Sequence, residues 1–220
     1  MILGLILLFL VPGEALWRTL RKKPVRPRTT RYRLTIARAL ALLLGLVVVS
    51  HAEHVTAAAL GIGTHLESGG YIGLVISLCL VGGLTLSTML AKPKIQGGDR
   101  RQAADIFPEN FQELTLFLVM TPLIGFAWEL LYRGYLLWWL TPLVGLPIAI
   151  FCSGLAYGLA HGWKNFRESF PSIVAAFLFA IGYALTSSLW WLIIIHIALP
   201  IIGYLAARRI AATQDEATMV

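Results

Sequence analysis

Charge is what this chain lacks most. Of its 220 residues only 13% are charged, while 58% are hydrophobic; soluble domains carry about 25% and 45–50%. Such a composition excludes a water-soluble globule and specifies a polytopic membrane protein, read as one domain. Cysteine is scarce as well. Cys79 and Cys152 both lie in apolar runs and build no disulfide framework, and there is no CxxC, Cys/His cluster or HExxH to mark a metal site. Residues 1–11 lack the basic n-region and small-residue cleavage site of a secretory signal. Extended to Trp17 they are long enough to span, since a spanning helix needs about 17–25 residues. Internal repeats and low-complexity tracts are absent. Acidic residues are outnumbered, 11 against 18 basic ones, for a net charge of +7. That excess would suit nucleic acid on a soluble face. Spread between apolar segments it reads as membrane topology, so no nucleic-acid partner is expected.

Seven apolar segments are present, at residues 1–17, 34–50, 70–91, 112–138, 143–163, 171–189 and 190–207, with Thr141-Pro142 joining the fourth to the fifth. Inside lipid every backbone group must be satisfied internally, and the period-2 alternation of a barrel is missing, so the segments are helices. The expected fold is all-α, a transmembrane bundle of about seven helices. Its organisation is an N-terminal part with basic loops (1–110), a helical core (111–210) and a flexible polar tail (211–220). Nine Lys/Arg lie within residues 18–38 and four within 92–101; Lys164 and Arg167, then Arg208 and Arg209, follow. With seven crossings all of these share one side, which puts the N-terminus outside and the C-terminus in the cytoplasm. Trp138-Trp139 and Trp190-Trp191 then mark the outer interface, and Trp17 and Trp163 the inner one. The basic stretch 18–38 is foremost a topology determinant, with anionic lipid headgroups as a lesser possibility. Residues 92–110 form the longest inner loop, with Gly97-Gly98 as its flexible point.

The remaining charges sit where lipid disfavours them. Glu129 and Arg133 lie four residues apart in an apolar run, on one helix face. Each ionised group costs about 2.5–3.5 kcal/mol at membrane depth on insertion scales, so the two are expected to pair. His161 ends a stripe of Gly154, Gly158 and Gly162, a spacing that lets a second helix approach closely. His196 is alone in an apolar run and needs a partner in the bundle. Pro200, four residues on, has no N–H, so the His196 carbonyl loses its helical partner and a kink is expected. Each site alone also reads as structure: an ion pair, a packed histidine, a kink. Glu129, His161 and His196 together make a His₂Glu set of the type that binds catalytic zinc, a minor reading without HExxH. A proton relay through the same residues is a further one.

In order and spacing, Trp128-Glu129-Leu130-Leu131-Tyr132-Arg133, Tyr157-Gly158-Leu159-Ala160-His161 and His196-Ile197-Ala198-Leu199-Pro200 resemble the three motifs of the CPBP family. These are intramembrane CAAX proteases and bacteriocin-processing enzymes, also called Abi proteins. Their pattern is Glu-Glu-x-x-x-Arg, Phe-x-x-x-His and His-x-x-x-Asn, here over about residues 112–207. The resemblance implies a cofactor-free peptidase in which His161 orients or deprotonates water and His196 donates to the oxyanion. Glu129 matches the second Glu and Arg133 the motif arginine. Three positions depart from the pattern: Trp128 for the first Glu, Tyr157 for Phe and Pro200 for Asn. An indole has one N–H and no acceptor, and proline donates nothing. Glu129, about 100° further around the helix, must then substitute for the missing carboxylate, or His161 acts as base alone. The implied partners are the bilayer and a membrane-associated peptide, and the implied place is the plasma membrane of a prokaryote. The alternative is a pseudoprotease that binds such a peptide, or an immunity scaffold. Helix rise adds one condition. His161 is near the inner-belt Trp163, so a shared site with Glu129 and His196 requires the fifth helix to continue past Trp163.

Overall fold

With no water in the hydrocarbon core, backbone amides are satisfied within helices, and every regular element found is helical. The computed structural model describes residues 1–21, 26–90, 107–163 and 166–218, without the side chains of 166–168 and 214–218. The inner loop expected at 92–110, with Gly97-Gly98, lies outside the described residues as far as residue 106. The helices are α1 (Ile2–Leu20), α2 (Arg28–Ala52), α3 (Ser68–Leu90), α4 (Phe111–Val144), α5 (Leu146–Ala160), α6 (Phe166–Thr186) and α7 (Trp190–Thr218). All but α5 contain a stretch long and apolar enough to cross a membrane, which makes six candidate spans. The chain is an all-α, multi-pass membrane protein.

Contacts between helix ends divide the bundle into two poles. At one, the Met1 amino group pairs with Glu53 at 3.7 Å, Leu189 N–H donates to the Gly61 carbonyl at 2.8 Å, and the Trp190 indole donates to Gly63 at 3.0 Å. At the other, Arg28 pairs with Glu113 and, at 3.3 Å, with Glu109, while Arg209 donates to the Thr88 carbonyl. Successive helices therefore run in alternating directions. α4 passes through the middle: Leu130, Leu131, Tyr132, Tyr135 and Leu136 are buried beside Leu7 of α1, Tyr157 of α5, Ala176 of α6 and Leu192 of α7. α3 is peripheral and packs on α7, burying only Gly70, Gly73 and Ser77. Its exposed Ile72, Val75 and Ile76 form an apolar, lipid-type surface.

Three boundaries differ from expectation. The fourth and fifth helices part at Gly145, at φ +78°, and not at Thr141-Pro142, which stays helical. Glycine adopts positive φ without a Cβ penalty, and Pro147 in the first turn of α5 loses no bonded N–H. α5 ends at Ala160 and does not continue past Trp163; Gly162, at φ +83°, terminates it beside Thr19. α7 runs through Pro200 to Thr218, so the expected tail is helical over most of its length.

Two π-helical turns, Ile6–Leu10 in α1 and Leu130–Leu136 in α4, lie against each other. A π turn shifts carbonyls out of the α register, and neighbouring side chains supply donors here. The Tyr132 hydroxyl donates to the Leu7 carbonyl at 3.3 Å, and Ser153 Oγ donates to the Tyr132 carbonyl at 2.8 Å.

Gly154 and Gly158 let α5 approach α6. A Cβ on Gly158 would lie 2.8 Å from Ile173 Cγ1 and 3.1 Å from its Cα. Gly158→Ala is expected to destabilise by about 1–3 kcal/mol through overpacking. Gly13→Ala, with nothing within 4 Å of the added carbon, should show no loss; thermal unfolding in detergent compares the two.

Candidate active site

The centre of the site is the pair in α4. Glu129 and Arg133 flank the start of the π turn, and both side chains are fully buried. Arg133 Nη1 donates to Glu129 Oε1 at 3.2 Å, and Nη2 donates to the Ala176 carbonyl of α6 at 3.3 Å. The guanidinium carbon lies 3.7 Å from the centroid of the Tyr157 ring, a cation–π contact at close range. The charge is thus spread over an anion, a carbonyl dipole and an aromatic face.

His196 supplies the second donor to the same carboxylate oxygen, with Nδ1 2.8 Å from Glu129 Oε1. A carboxylate engaged by Arg133 accepts, so His196 Nδ1 carries the proton. α7 reaches this close because α4 has no side chain at Gly125, one turn before Glu129. A Cβ there would fall 2.6 Å from Ile197 Cγ1 and 3.2 Å from the Ile197 nitrogen. The Tyr157 hydroxyl is 3.3 Å from His196 Nδ1 and 3.4 Å from Nε2. Near-equal distances align it with neither ring nitrogen. Glu129 Oε2 is buried and makes no hydrogen bond among the described residues.

His161 joins the group through Tyr157. Its ring centroid is 4.7 Å from that of Tyr157, whose ring is 6.2 Å from that of His196. His161 Nδ1 lies 3.0 Å from the Tyr157 carbonyl. A carbonyl only accepts, so Nδ1 carries the proton and Nε2 keeps the lone pair. Unlike Glu129, His161 is exposed. It lines a cavity of about 480 Å³ together with residues of α1 and α2. The expected continuation of the fifth helix proves unnecessary. With 15 residues and a rise of about 1.5 Å each, α5 measures roughly 22 Å, short of a hydrocarbon core about 30 Å thick. Its C-terminal end, and His161 with it, stops at the level of the buried pair.

Trp128 packs beside this group. Its ring meets Tyr132 edge-on at 5.9 Å, and Tyr132 meets Tyr157 at 5.3 Å. It belongs to an aromatic column between α4 and α5. Pro200 lies one turn beyond His196 within α7. Among the described residues no three His, Cys, Asp or Glu side chains are grouped to hold a metal ion. Tyr157 is in ring contact with both His161 and His196.

Residues 110–202 match the family model described as type II CAAX prenyl endopeptidase Rce1-like. The match covers less than half of the chain and supports CPBP family membership for that segment. No curated protein and no solved structure matched. The three segments that resemble CPBP motifs fall within the matched residues, whereas α1, α2 and α3 lie outside them. Sequence reasoning alone had not found Gly125, the Ala176 carbonyl or the α1–α2 wall of the cavity. Gly125 left a trace, a small residue four positions before Glu129; a backbone carbonyl leaves none.

Removing one partner of a buried ion pair strands the other and costs about 3–5 kcal/mol, whereas replacing both with apolar groups is often neutral. Arg133→Met and Glu129→Leu are each expected to lose about that much. The double variant should recover most of it, as read from detergent unfolding midpoints.

Proposed function

We propose that this protein is an intramembrane endopeptidase acting on a membrane-associated peptide, with His161 as the base. One observation carries the reading. The Tyr157 carbonyl holds the proton of His161 on Nδ1, which leaves a lone pair on Nε2 at the wall of a cavity. A water there gives its proton to Nε2, and the resulting hydroxide attacks the peptide carbonyl. The developing oxyanion needs a donor within hydrogen-bond range. His196 is the donor that the family resemblance implies for that role; because Glu129 holds its Nδ1–H, it donates from Nε2 only when both ring nitrogens carry protons. The imidazolium of His161 then returns the proton to the leaving amine. Glu129 is closed off from the cavity, so it acts as a positioning residue and Trp128 takes no part in proton transfer. The basic pole, rich in Arg from residues 18–38 together with Arg208 and Arg209, is the cytoplasmic side under the positive-inside rule. A prokaryotic plasma membrane is the setting that the family resemblance implies.

A second reading, a peptide-binding pseudoprotease, draws on Trp128 standing where the pattern has a carboxylate. Cleavage of a lipid-anchored reporter peptide in nanodiscs separates the two. The peptidase reading expects turnover by the wild type and a loss of about 10²–10⁴ in His161→Ala, the usual contribution of a positioned base. It expects about 10²–10³ in His196→Ala, the effect of losing an oxyanion donor. An inert wild type that binds the peptide, with turnover appearing in Trp128→Glu, would favour the scaffold.

A further inference from the structure

The cavity at His161 has a wall that the hydrolytic chemistry does not use. Arg18 at the end of α1, Arg26 before α2, and Arg31 and Arg38 in α2 line it, with Glu14 as the acidic member. Glu14 Oε2 lies 3.2 Å from Arg38 Nη2, and Oε1 lies 3.9 Å from Arg18 Nη1. Among the described residues four arginines and one carboxylate line the cavity; Arg18 and Arg38 share Glu14, and Arg31 has an interaction of its own. The Arg18 and Arg38 side chains remain about one third exposed, at 35% and 36%.

A concave wall with excess positive charge at the edge of a low-dielectric membrane concentrates anions. Guanidinium groups select carboxylates in particular, by paired charge-assisted hydrogen bonds. Glu14 already shows the arrangement, one carboxylate held across two arginines from different helices. His161 lines the same cavity. An anionic group bound at this wall can belong to the same chain that presents its carbonyl to His161. That ties the site to the substrate peptide more closely than to a lipid headgroup at the surface.

We infer that the arginine wall of α1 and α2 is a carboxylate-binding subsite that selects peptides carrying a carboxylate close to the bond offered to His161. The inference rests on the peptidase reading for the role of His161, but binding tests it separately from turnover. It also assigns a task to the N-terminal helices, which lie outside the segment matched to the family. Arg18 and Arg38 are substrate-selecting residues, and Glu14 holds both in place before substrate arrives.

The test uses the full chain in nanodiscs of zwitterionic lipid, with a palmitoylated, fluorescein-labelled peptide in three forms. One ends in a free α-carboxylate, one in a carboxamide, and one in a carboxamide with Glu replacing a Gln near the end. Anisotropy gives Kd, and mass spectrometry gives cleavage. Hydrogen bonds to charged groups contribute about 1.5–3 kcal/mol, so either carboxylate form should bind about tenfold or more tighter than the neutral amide. The double variant Arg18→Gln/Arg38→Gln should reduce that preference to less than about threefold, and Arg38→Lys with Arg18 intact should keep part of it. A carboxylate preference that depends on these arginines upholds the subsite even if no cleavage occurs, in which case only the peptidase reading falls. Equal binding or cleavage of acid and amide forms, unchanged by the variants, overturns the subsite and leaves the peptidase standing. Affinity that follows the content of anionic lipid and ignores the peptide's carboxylates also overturns it and assigns the wall to lipid phosphate.

Discussion

Two opposite charges enclosed in hydrocarbon set the terms for the rest of this bundle. Glu129 and Arg133 have no access to solvent, so every stabilising contact has to come from protein. Arg133 takes the Tyr157 ring from α5 and the Ala176 carbonyl from α6; Glu129 takes His196 from α7. Burying the pair therefore fixes α4 at the centre, with three helices closed around its middle. Close approach is needed on two sides, and glycine provides it: Gly125 toward α7, and Gly154 and Gly158 between α5 and α6. The π turn that begins after Glu129 keeps a wider spiral at the same level, a feature common where helices carry function.

The short α5 gives the enclosed pair a route to the outside. A full-length span would carry His161 to the membrane surface, well away from Glu129. At 15 residues the helix is shorter than a span, and Gly162 turns the chain at its end. Tyr157, one turn before His161, touches the arginine, the second histidine and His161 itself. It is the connection between a sealed electrostatic centre and an exposed histidine. α1 and α2 cover the opening and make it basic, while the Arg28–Glu113 pair and the Tyr32–Phe117 contact join α2 to α4 near that pole.

Much of this is legible in the residues. Composition and apolar runs foretell an all-α membrane bundle, because lipid leaves the backbone few alternatives. The i, i+4 spacing foretells the Glu129–Arg133 pair, and the need of His196 for a polar partner foretells a contact of that kind. The glycine stripe foretells a tight contact of α5, though not that α6 fills it. What sequence conceals is geometry set by tertiary packing. The Gly145 break outweighs Thr141-Pro142, because a helix accommodates proline while positive φ ends it. The stop at Ala160 cannot be seen in an apolar run that continues to Trp163. Glu129 reads as a stand-in carboxylate, and its enclosure by Arg133 and His196 is a matter of packing that no sequence pattern displays.

The central claim is a division of labour between two histidines: His196 anchored to the buried carboxylate, His161 lining the cavity and proposed as the base. Nitrogen-15 spectra of histidine-labelled protein in nanodiscs test it most directly, with signals assigned by His161→Gln and His196→Gln. The account predicts that neutral His161 carries its proton on Nδ1 and shows an unprotonated Nε2. It also predicts that His196 is protonated at Nδ1 and that its signals alone shift strongly in Glu129→Gln. A His161 ring protonated on Nε2, or a His196 indifferent to Glu129→Gln, would contradict it.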